Sequence, residues 1–549
     1  MRNRIIGLFI VASGILASCG TPDVMVCPNG KPVTETVGIT HAGISYTQDE
    51  TVSCMRDGAD QIRALGSRVI KMWFSDDPVG AYSVNCDWTR FYIQNSVDLL
   101  KTDYYREVFE MDFKTYVLET HTFDKKYPDS NVNWLDGMNE EETERTENEM
   151  YEVSKYLLQT YNGSGKEFIL QNWEGDNMLG GRFWRLDSET GYYYEVDKGR
   201  KSANVEDDAL MRSRIQGLTD WFNARQRGVD KAMAEFGKSS DVSVRHAVEL
   251  NFAYLPFDEG WPYSDSPMVL KDIVPYTDCD LYSLSCWGSL TIEKAHTLRD
   301  RLVLIAKGVG DTWTDMSDCG LVKPRRPFVR PSQVSRLMLG EYGAIERLQG
   351  TETGEWVSVL SDITDLRHRK VLQIQTELAL ELGLEYVLYW ELYCNVPRTD
   401  TDPPMTINNH AGERAASNDV LQGNWIIRQD GTVTEGYKYL SGLFRPELNL
   451  YSDDVLEYGK VYRINGGYEG FEVSGTLVTD SELANMTKDR KFGDEIKVSG
   501  SVNGKDFTEM EIDSFFTQCV EEDGRFVSLV KYVNLSPEDA GYRYFKGEK

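Results

Sequence analysis

The chain has 549 residues, 41% of them hydrophobic and 11% aromatic, which supplies a large core and excludes intrinsic disorder. Length alone suggests roughly three domains, a prior that relaxes for α/β barrels of about 400 residues. Against 59 basic side chains stand 88 acidic ones, a net charge of −29; a surface so negative repels phosphate backbones and excludes nucleic acid as a partner, and it disfavours polyuronic acids as substrates.

The first element in chain order is an address. Arg2 and Arg4 precede an apolar run from Ile5 to Leu16, which ends in Leu16-Ala17-Ser18-Cys19-Gly20. A charged start, a run too short to span a bilayer and small residues at its end define a secretory signal. Leu-Ala-Ser-Cys resembles the lipobox of bacterial lipoproteins. That resemblance implies cleavage of residues 1–18, a lipid on Cys19 and a tether over residues 19–31. By the same resemblance Gly20 implies the outer membrane, with the periplasmic or cell-surface face left open. Cleavage would remove Arg2 and Arg4 and no acid, so the mature chain is more negative still. No other apolar run is long enough to cross a bilayer. Eight further cysteines (Cys27, Cys54, Cys86, Cys279, Cys286, Cys319, Cys394 and Cys519) form no Cys-x-x-Cys, so a zinc ribbon or thioredoxin-type site lacks support. Their even number and export permit disulfides, but no spacing identifies pairs.

Strand candidates follow at Thr36–His41, Arg68–Phe74, Phe113–Thr120, Glu167–Trp173, Ser243–Asn251, Cys279–Ser285, Ser335–Glu341 and Glu385–Leu392. Between them, apolar residues recur every three to four positions in Val52–Leu65, Thr143–Thr160, Glu206–Phe236, Thr291–Lys307 and Ile363–Leu382. Gly66, Gly163, Gly237, Gly308 and Gly383 stand where helix stops are expected. Asp87–Met111 reads as a helix with a loop, Met178–Asn204 as an insertion over the mouth, and Gly436–Leu443 as a last helix. Eight strand–helix alternations predict a parallel sheet that closes: a (β/α)8 TIM barrel over residues 32–445. An open doubly wound sheet is disfavoured, because no Gly-x-Gly-x-x-Gly opens a helix and Gly165-Lys166 lacks the Ser/Thr of a P-loop. Residues 446–549 alternate in short runs and predict a small all-β domain; all twelve tryptophans lie between Trp73 and Trp425, which weakens a sugar-stacking role for it.

In such a barrel, functional groups collect at the C-terminal ends of the strands. Strand four leads through Leu170, Gln171, Asn172 and Trp173 into Glu174-Gly175-Asp176-Asn177, and strand seven through Leu337 and Leu339 into Gly340-Glu341-Tyr342-Gly343. The two-residue period puts Leu170, Asn172 and Glu174 on one face, and Leu337, Leu339 and Glu341 on another. If the leucines point inward, both glutamates enter the mouth. Strands about 4.8 Å apart and tilted about 36° give a barrel radius near 7.5 Å. Three strand steps then span about 14 Å, which leaves about 5 to 6 Å between two inward-reaching carboxylates, the spacing of retaining glycosidases. Asp176, of the same parity as Glu174, is the nearest rival acid.

The Glu-Gly-Asp turn, Gly340-Glu341-Tyr342-Gly343 and Tyr389-Trp390 resemble the clan A glycoside hydrolases, the four-seven retaining enzymes; so does Gly423-Asn424-Trp425-Ile426-Ile427 followed by Gln429-Asp430-Gly431. The resemblance covers about Pro32 to Arg445. It implies Glu174 as acid/base, Glu341 as nucleophile, Trp390 as floor beneath the sugar, a carbohydrate substrate and no cofactor. One departure stands out: that clan commonly places Asn directly before the acid/base, whereas here Trp173 does so and Asn172 lies one residue earlier. His41, Lys71, His121, His246, Glu249 and Asn251, at or near the ends of strands one, two, three and five, are candidates to hold substrate or tune the glutamates; Tyr282 and Trp287, near strand six, are candidates to orient the nucleophile or line the cleft. No His-x-His occurs among the six histidines, so a dinuclear metal barrel is disfavoured. Asp400 and Asp402 read as a solvated acidic loop rather than a calcium site. The alternative from another class is a non-catalytic glycan-binding lipoprotein on the same scaffold, for which a facing carboxylate pair has no use.

Overall fold

Eight parallel strands pair in sequence order and the last pairs with the first: β1 (Val37–His41), β2 (Val69–Phe74), β3 (Thr115–Thr120), β4 (Glu167–Gln171), β5 (Ser243–Leu250), β6 (Leu281–Cys286), β7 (Leu337–Tyr342) and β8 (Val387–Tyr389). This closed (β/α)8 barrel, seen in a computed structural model, is the predicted one. The structure describes residues 25–121, 123, 137–179, 208–253, 268–287, 295, 297–309, 336–346, 362–398 and 415–445, with strand segments at 184–186, 193–195, 461–465, 471–477, 500–502, 505–506 and 545–547. The signal segment, Cys19, Cys319, Cys519, Asp400 and Asp402 lie outside the described residues.

Local chemistry explains the helix boundaries. α1 (Cys54–Leu65) starts where the Ser53 hydroxyl accepts the Arg56 N–H, and it stops at Gly66, whose φ of 119° suits only glycine. α2 (Glu140–Thr160) opens on a reciprocal capping box between Asn139 and Glu142. α3 (Asp208–Phe236) ends at Gly237, as expected. α4 (Thr297–Val309) does not: it runs through Gly308, because a glycine inside a helix weakens it without terminating it. α5 (Asp362–Glu381) precedes Gly383, with φ 71°, and α6 (Glu435–Phe444) begins where Thr434 caps the Tyr437 N–H. The segment 87–111 is a 3-10 turn at Trp88–Arg90 and two short helices, Ser96–Leu100 and Asp103–Phe109, rather than one helix. Within the insertion, Trp184–Leu186 pairs antiparallel with Tyr193–Glu195. No described helix is long and apolar enough to cross a membrane. Beyond residue 445, Val461–Asn465, Phe471–Leu477, Gly500–Val502 and Lys505–Asp506 pair antiparallel in that order, and Phe545–Gly547 adds to Phe471–Leu477. The sulfurs of Cys54 and Cys86 lie 3.6 Å apart as thiols.

The two faces of the strands correct the leucine argument. The barrel interior is filled by Val69, Val117, Ile169, Ala247, Leu281, Met338, Tyr386 and Leu388. Leu170, Leu337 and Leu339 instead join the larger core shared with the helices. The leucines therefore point outward, and the glutamates reach the mouth by other means. Beneath the interior layer the base is closed by charge: Arg245 pairs with Glu167 and, at 2.8 Å, with Glu385, and Lys31 from the segment before β1 meets Glu385 at the same distance. Of these four only Glu385 is fully buried, and its two cationic partners, Lys31 and Arg245, keep its charge from standing alone.

Candidate active site

The mouth is built by taking one more step along each strand. Two residues beyond Val69, Val117, Ile169, Ala247 and Leu281 stand Lys71, Glu119, Gln171, Glu249 and Ser283, all buried. An apolar layer thus gives way to a polar one at the C-terminal end of the barrel. Lys71 Nζ lies 2.7 Å from Glu341 Oε1, 3.3 Å from Glu119 Oε2 and 3.7 Å from Glu249 Oε2. Burial alone would discharge this lysine, but Glu249, Glu341 and Glu119 facing it raise its pKa above the usual value, so it stays an ammonium. Glu119, Glu249 and Glu341 converge closely enough to hold a cation, and the Lys71 ammonium fills that role. Gln171 Nε2 and Ser283 Oγ donate to Glu249 Oε2 at 2.6 and 2.9 Å. Burial pushes the Glu249 carboxyl well up, whereas Glu119, buried too but held by Lys71 and His121, falls below its usual range.

Glu341 enters the mouth through a β-bulge. Leu284 of β6 pairs with Leu339, but the next residue, Ser285, pairs with Glu341, so Gly340 is an extra residue. On the other side Val387 pairs with Leu339 and Tyr389 with Tyr342, a mismatch of one. A bulge re-aims the side chain that follows it. Gly340 faces the interior, where a Cβ would run into Ser283 and Glu249, and Glu341 after it turns inward as well. Glu174 arrives differently. β4 ends at Gln171, and Glu174 sits on the turn that opens the short helix Gly175–Leu179, where strand parity no longer applies.

The two glutamates meet at Ser285. Its Oγ lies 2.7 Å from Glu174 Oε1 and 3.0 Å from Glu341 Oε2, so those oxygens are no farther apart than the two contacts laid end to end. Trp287 Nε1 donates to Glu341 Oε2 at 3.3 Å; Asn177 and Asn251 donate their amides to Glu174 Oε2. Burial, reinforced by the negative charge of Glu341, pushes the Glu174 carboxyl up to about 8. Burial raises Glu341 also, but there the Lys71 ammonium opposes it directly. Two carboxyl groups share one pocket, and among the described residues only Glu341 has a cation in contact. Environments that split a pair in this way assign one acid and one base.

Trp390, nearly buried, lies with its ring centroid 6.1 Å from that of Trp73 and 6.4 Å from that of Trp287, with Lys71 Nζ 5.7 Å from its face. His121 approaches Glu119 at 3.7 Å. Trp173 is 39% exposed beside Glu174. The structure therefore gathers Glu174, Glu341, Lys71, Glu249, Asn251, Trp287, Trp390 and His121 around one mouth. Other expected residues stand apart. Asn172 is a staple between strands: its amide donates to Glu249 O at 3.0 Å and accepts from Glu249 N at 2.8 Å, which leaves it engaged by β5. His41 turns away from the mouth against α1, bonded to Cys54 O at 2.8 Å and packed on Gly58. His246 has the opposite parity to Ala247 and Glu249, and its ring accepts from Arg225 of α3 at 3.2 Å. Tyr282 stands at the start of β6, where its hydroxyl meets Thr277 and Cys279 N near the base. In each case outward parity on the strand, or a position at its wrong end, explains the placement. Asp176 accepts three backbone N–H groups, from Val269, Asn251 and Phe252, and acts as a rivet rather than a rival acid. Glu119, Ser285, Gln171, Ser283 and Asn177 escaped the sequence reading; inward parity from Val117, Ile169 and Leu281 was the signal for all but Asn177.

No protein-family model and no curated protein matches the chain. Among solved structures it is similar to an exo-β-1,4-mannosidase from Opitutaceae bacterium strain TAV5, at 12% identity over 78% of this chain and 62% of that one, with a TM-score of 0.39. This chain thus spans less than two thirds of the mannosidase. It is similar also to an endo-1,4-β-D-mannanase from Thermotoga petrophila RKU-1 (13% identity, 75% and 99% covered, TM-score 0.37). A third similar structure is an endo-1,4-β-xylanase from Caldicellulosiruptor owensensis (11% identity, 74% and 96% covered, TM-score 0.36). These likenesses concern the fold, and the chemistry rests on the residues of the mouth.

Proposed function

We propose that the protein is a retaining glycoside hydrolase in which Glu174 is the acid/base and Glu341 the nucleophile. The observation that carries this reading is the single hydroxyl, Ser285 Oγ, in contact with both carboxyls. The two contacts cap the separation of those oxygens below the roughly 6.5–9.5 Å of inverting pairs and are compatible with the roughly 5–5.5 Å of retaining ones. Glu174, neutral at pH 7, protonates the departing glycosidic oxygen while Glu341, ionised beside Lys71, attacks the anomeric carbon. Glu174, now ionised, then takes a proton from the water that releases the sugar. Trp390 offers an aromatic face to the apolar face of a sugar ring, and no step calls for a cofactor.

Glu174→Gln and Glu341→Gln test it. Without Glu341 no covalent intermediate forms, so every substrate suffers. Without Glu174 turnover of a poor leaving group falls by about 10²–10⁴-fold, while an aryl glycoside with a good leaving group still forms the intermediate and then stalls. Azide rescues Glu174→Ala with retention, and proton NMR of the first-formed anomer reads the outcome. Full activity in either Gln variant, or an inverted wild-type product, overturns the assignment. A polysaccharide panel assayed for reducing ends and for binding together separates hydrolysis from mere glycan binding.

We also propose the lipid anchor at Cys19 in the outer membrane. Cys19→Ala is expected to move the protein from the membrane fraction to a soluble or unprocessed form; unchanged fractionation with no lipid mass on Cys19 would refute it.

A further inference from the structure

Ser285 has one hydroxyl proton and two carboxyl neighbours, at 2.7 Å (Glu174 Oε1) and 3.0 Å (Glu341 Oε2). Both distances are hydrogen bonds, and a hydroxyl donates only one. Were both carboxyls ionised, one of the two contacts would set lone pair against lone pair inside a buried pocket. One carboxyl must therefore carry a proton, and the remaining donors identify it. Glu341 is ringed by N–H groups, with Lys71 Nζ at Oε1 (2.7 Å) and Trp287 Nε1 at Oε2 (3.3 Å). At Glu174 both amide donors, Asn177 and Asn251, converge on Oε2, and Oε1 faces Ser285 alone among the described residues. The proton belongs on Glu174 Oε1.

We propose that Ser285 is a positioning residue that links acid to nucleophile by a one-hydroxyl relay, with Glu174 Oε1–H donating to Ser285 Oγ and Ser285 O–H donating to Glu341 Oε2. The relay favours one distribution of the shared proton, neutral Glu174 with ionised Glu341. It therefore strengthens proton binding at Glu174 and weakens it at Glu341, driving the two titrations apart. The hydroxyl is also reversible. Once Glu341 is esterified and Glu174 has given up its proton, Ser285 can rotate and donate to the Glu174 carboxylate instead. No atom is gained or lost in that rotation. Its catalytic meaning rests on the hydrolase reading; the relay itself does not.

Other charges act on the pair and remain in place when Ser285 is changed: Lys71, Glu119 and its partner His121, Glu249, and Glu391 behind Trp390. The test is therefore a comparison of variants. Carboxyl-¹³C glutamate is incorporated into the full chain, and the Glu174 and Glu341 signals, assigned with Glu174→Gln and Glu341→Gln, are titrated by NMR. In Ser285→Ala the Glu174 midpoint is expected to fall and that of Glu341 to rise, each by about tenfold in proton affinity, the size of one hydrogen bond to a charged group. Ser285→Thr, which keeps the hydroxyl, is expected to restore both. The bell-shaped kcat/KM profile narrows from both limbs in Ser285→Ala, a change that loosened packing alone does not produce. Should Ser285→Ala fail to fold, Ser285→Cys, a weaker donor, set against Ser285→Thr carries the same comparison. Unmoved midpoints, or midpoints that move together, overturn the relay. Opposed shifts in a protein that cleaves no glycoside would sink the hydrolase reading and leave the relay standing; hydrolysis with unmoved midpoints does the reverse.

Discussion

Glu174 is a carboxyl in surroundings that oppose its charge. It is buried, it faces Glu341, and among the described residues its hydrogen-bond partners are amides and a hydroxyl rather than a cation. Its pKa of about 8 against an ordinary 4.5 has a consequence for stability. Between those values the folded chain binds a proton that the unfolded chain releases, so folding weakens as pH rises through that window. Glu174→Gln removes the titration and keeps the shape. It is expected to raise the melting temperature relative to the parent chain, by more at pH 8 than at pH 5; a gain independent of pH would mean that Glu174 ionises freely. If Glu174 is the acid we propose, the same carboxyl should set the basic limb of kcat/KM near pH 8. Glu341 differs in one contact, the Lys71 ammonium at 2.7 Å. That contact separates the two roles we propose.

At the scale of elements, the barrel uses two devices to turn side chains inward where strand parity would not. β7 inserts Gly340 and so re-aims Glu341; β4 stops at Gln171 and passes Glu174 to a turn. Asp176 secures that turn by accepting the N–H groups of Val269, Asn251 and Phe252, while Asn251 returns its side-chain oxygen to the N–H groups of Asp176 and Asn177. The bulge depends on a residue without a Cβ. Gly340→Ala forces a methyl against the Ser283 hydroxyl and Glu249, and overpacking of this kind costs about 1–3 kcal/mol. We expect a lower melting temperature together with a fall in turnover larger than the stability loss explains, because Glu341 moves with the bulge. Differential scanning calorimetry and kinetics on one preparation test this; a variant that melts lower but turns over normally would separate the bulge from the site.

At the scale of the molecule, the barrel is layered from base to mouth: an ionic plug of Lys31, Glu385, Arg245 and Glu167, an apolar layer, then the polar layer of Lys71, Glu119, Gln171, Glu249 and Ser283. Every group gathered at the mouth lies between Lys71 and Trp390, and no tryptophan follows Trp425. A chain ending at Arg445 is therefore expected to fold cooperatively and to hydrolyse a small soluble glycoside. Loss of turnover in a truncation that keeps its circular dichroism and a sharp melt would assign the C-terminal strands a part in the site.

Much of this was legible in the residues. Period-two and period-3.6 patterning located all eight barrel strands and the main helices to within a few residues, because burial against a sheet or a helix face is a local, repeating demand. The two glutamates were legible from their places after strand-like runs, although the parity that pointed to them put the leucines on the wrong face; Trp390 was legible only through the resemblance carried by Tyr389-Trp390. Leu170 and Leu339 look inward or outward with equal right until the partner strands are known, and a one-residue bulge at Gly340 leaves no mark in a hydrophobic pattern. For the same reason His41, His246 and Tyr282 looked like mouth residues and proved to face helices or the base. What only the tertiary structure decided is which distant side chains share a pocket: Lys71 amid three carboxylates, Asn172 spent on Glu249, and Ser285 between Glu174 and Glu341. Those contacts join residues up to 270 positions apart, and a proton's place among them depends on the sum of donors in three dimensions, which no stretch of sequence contains.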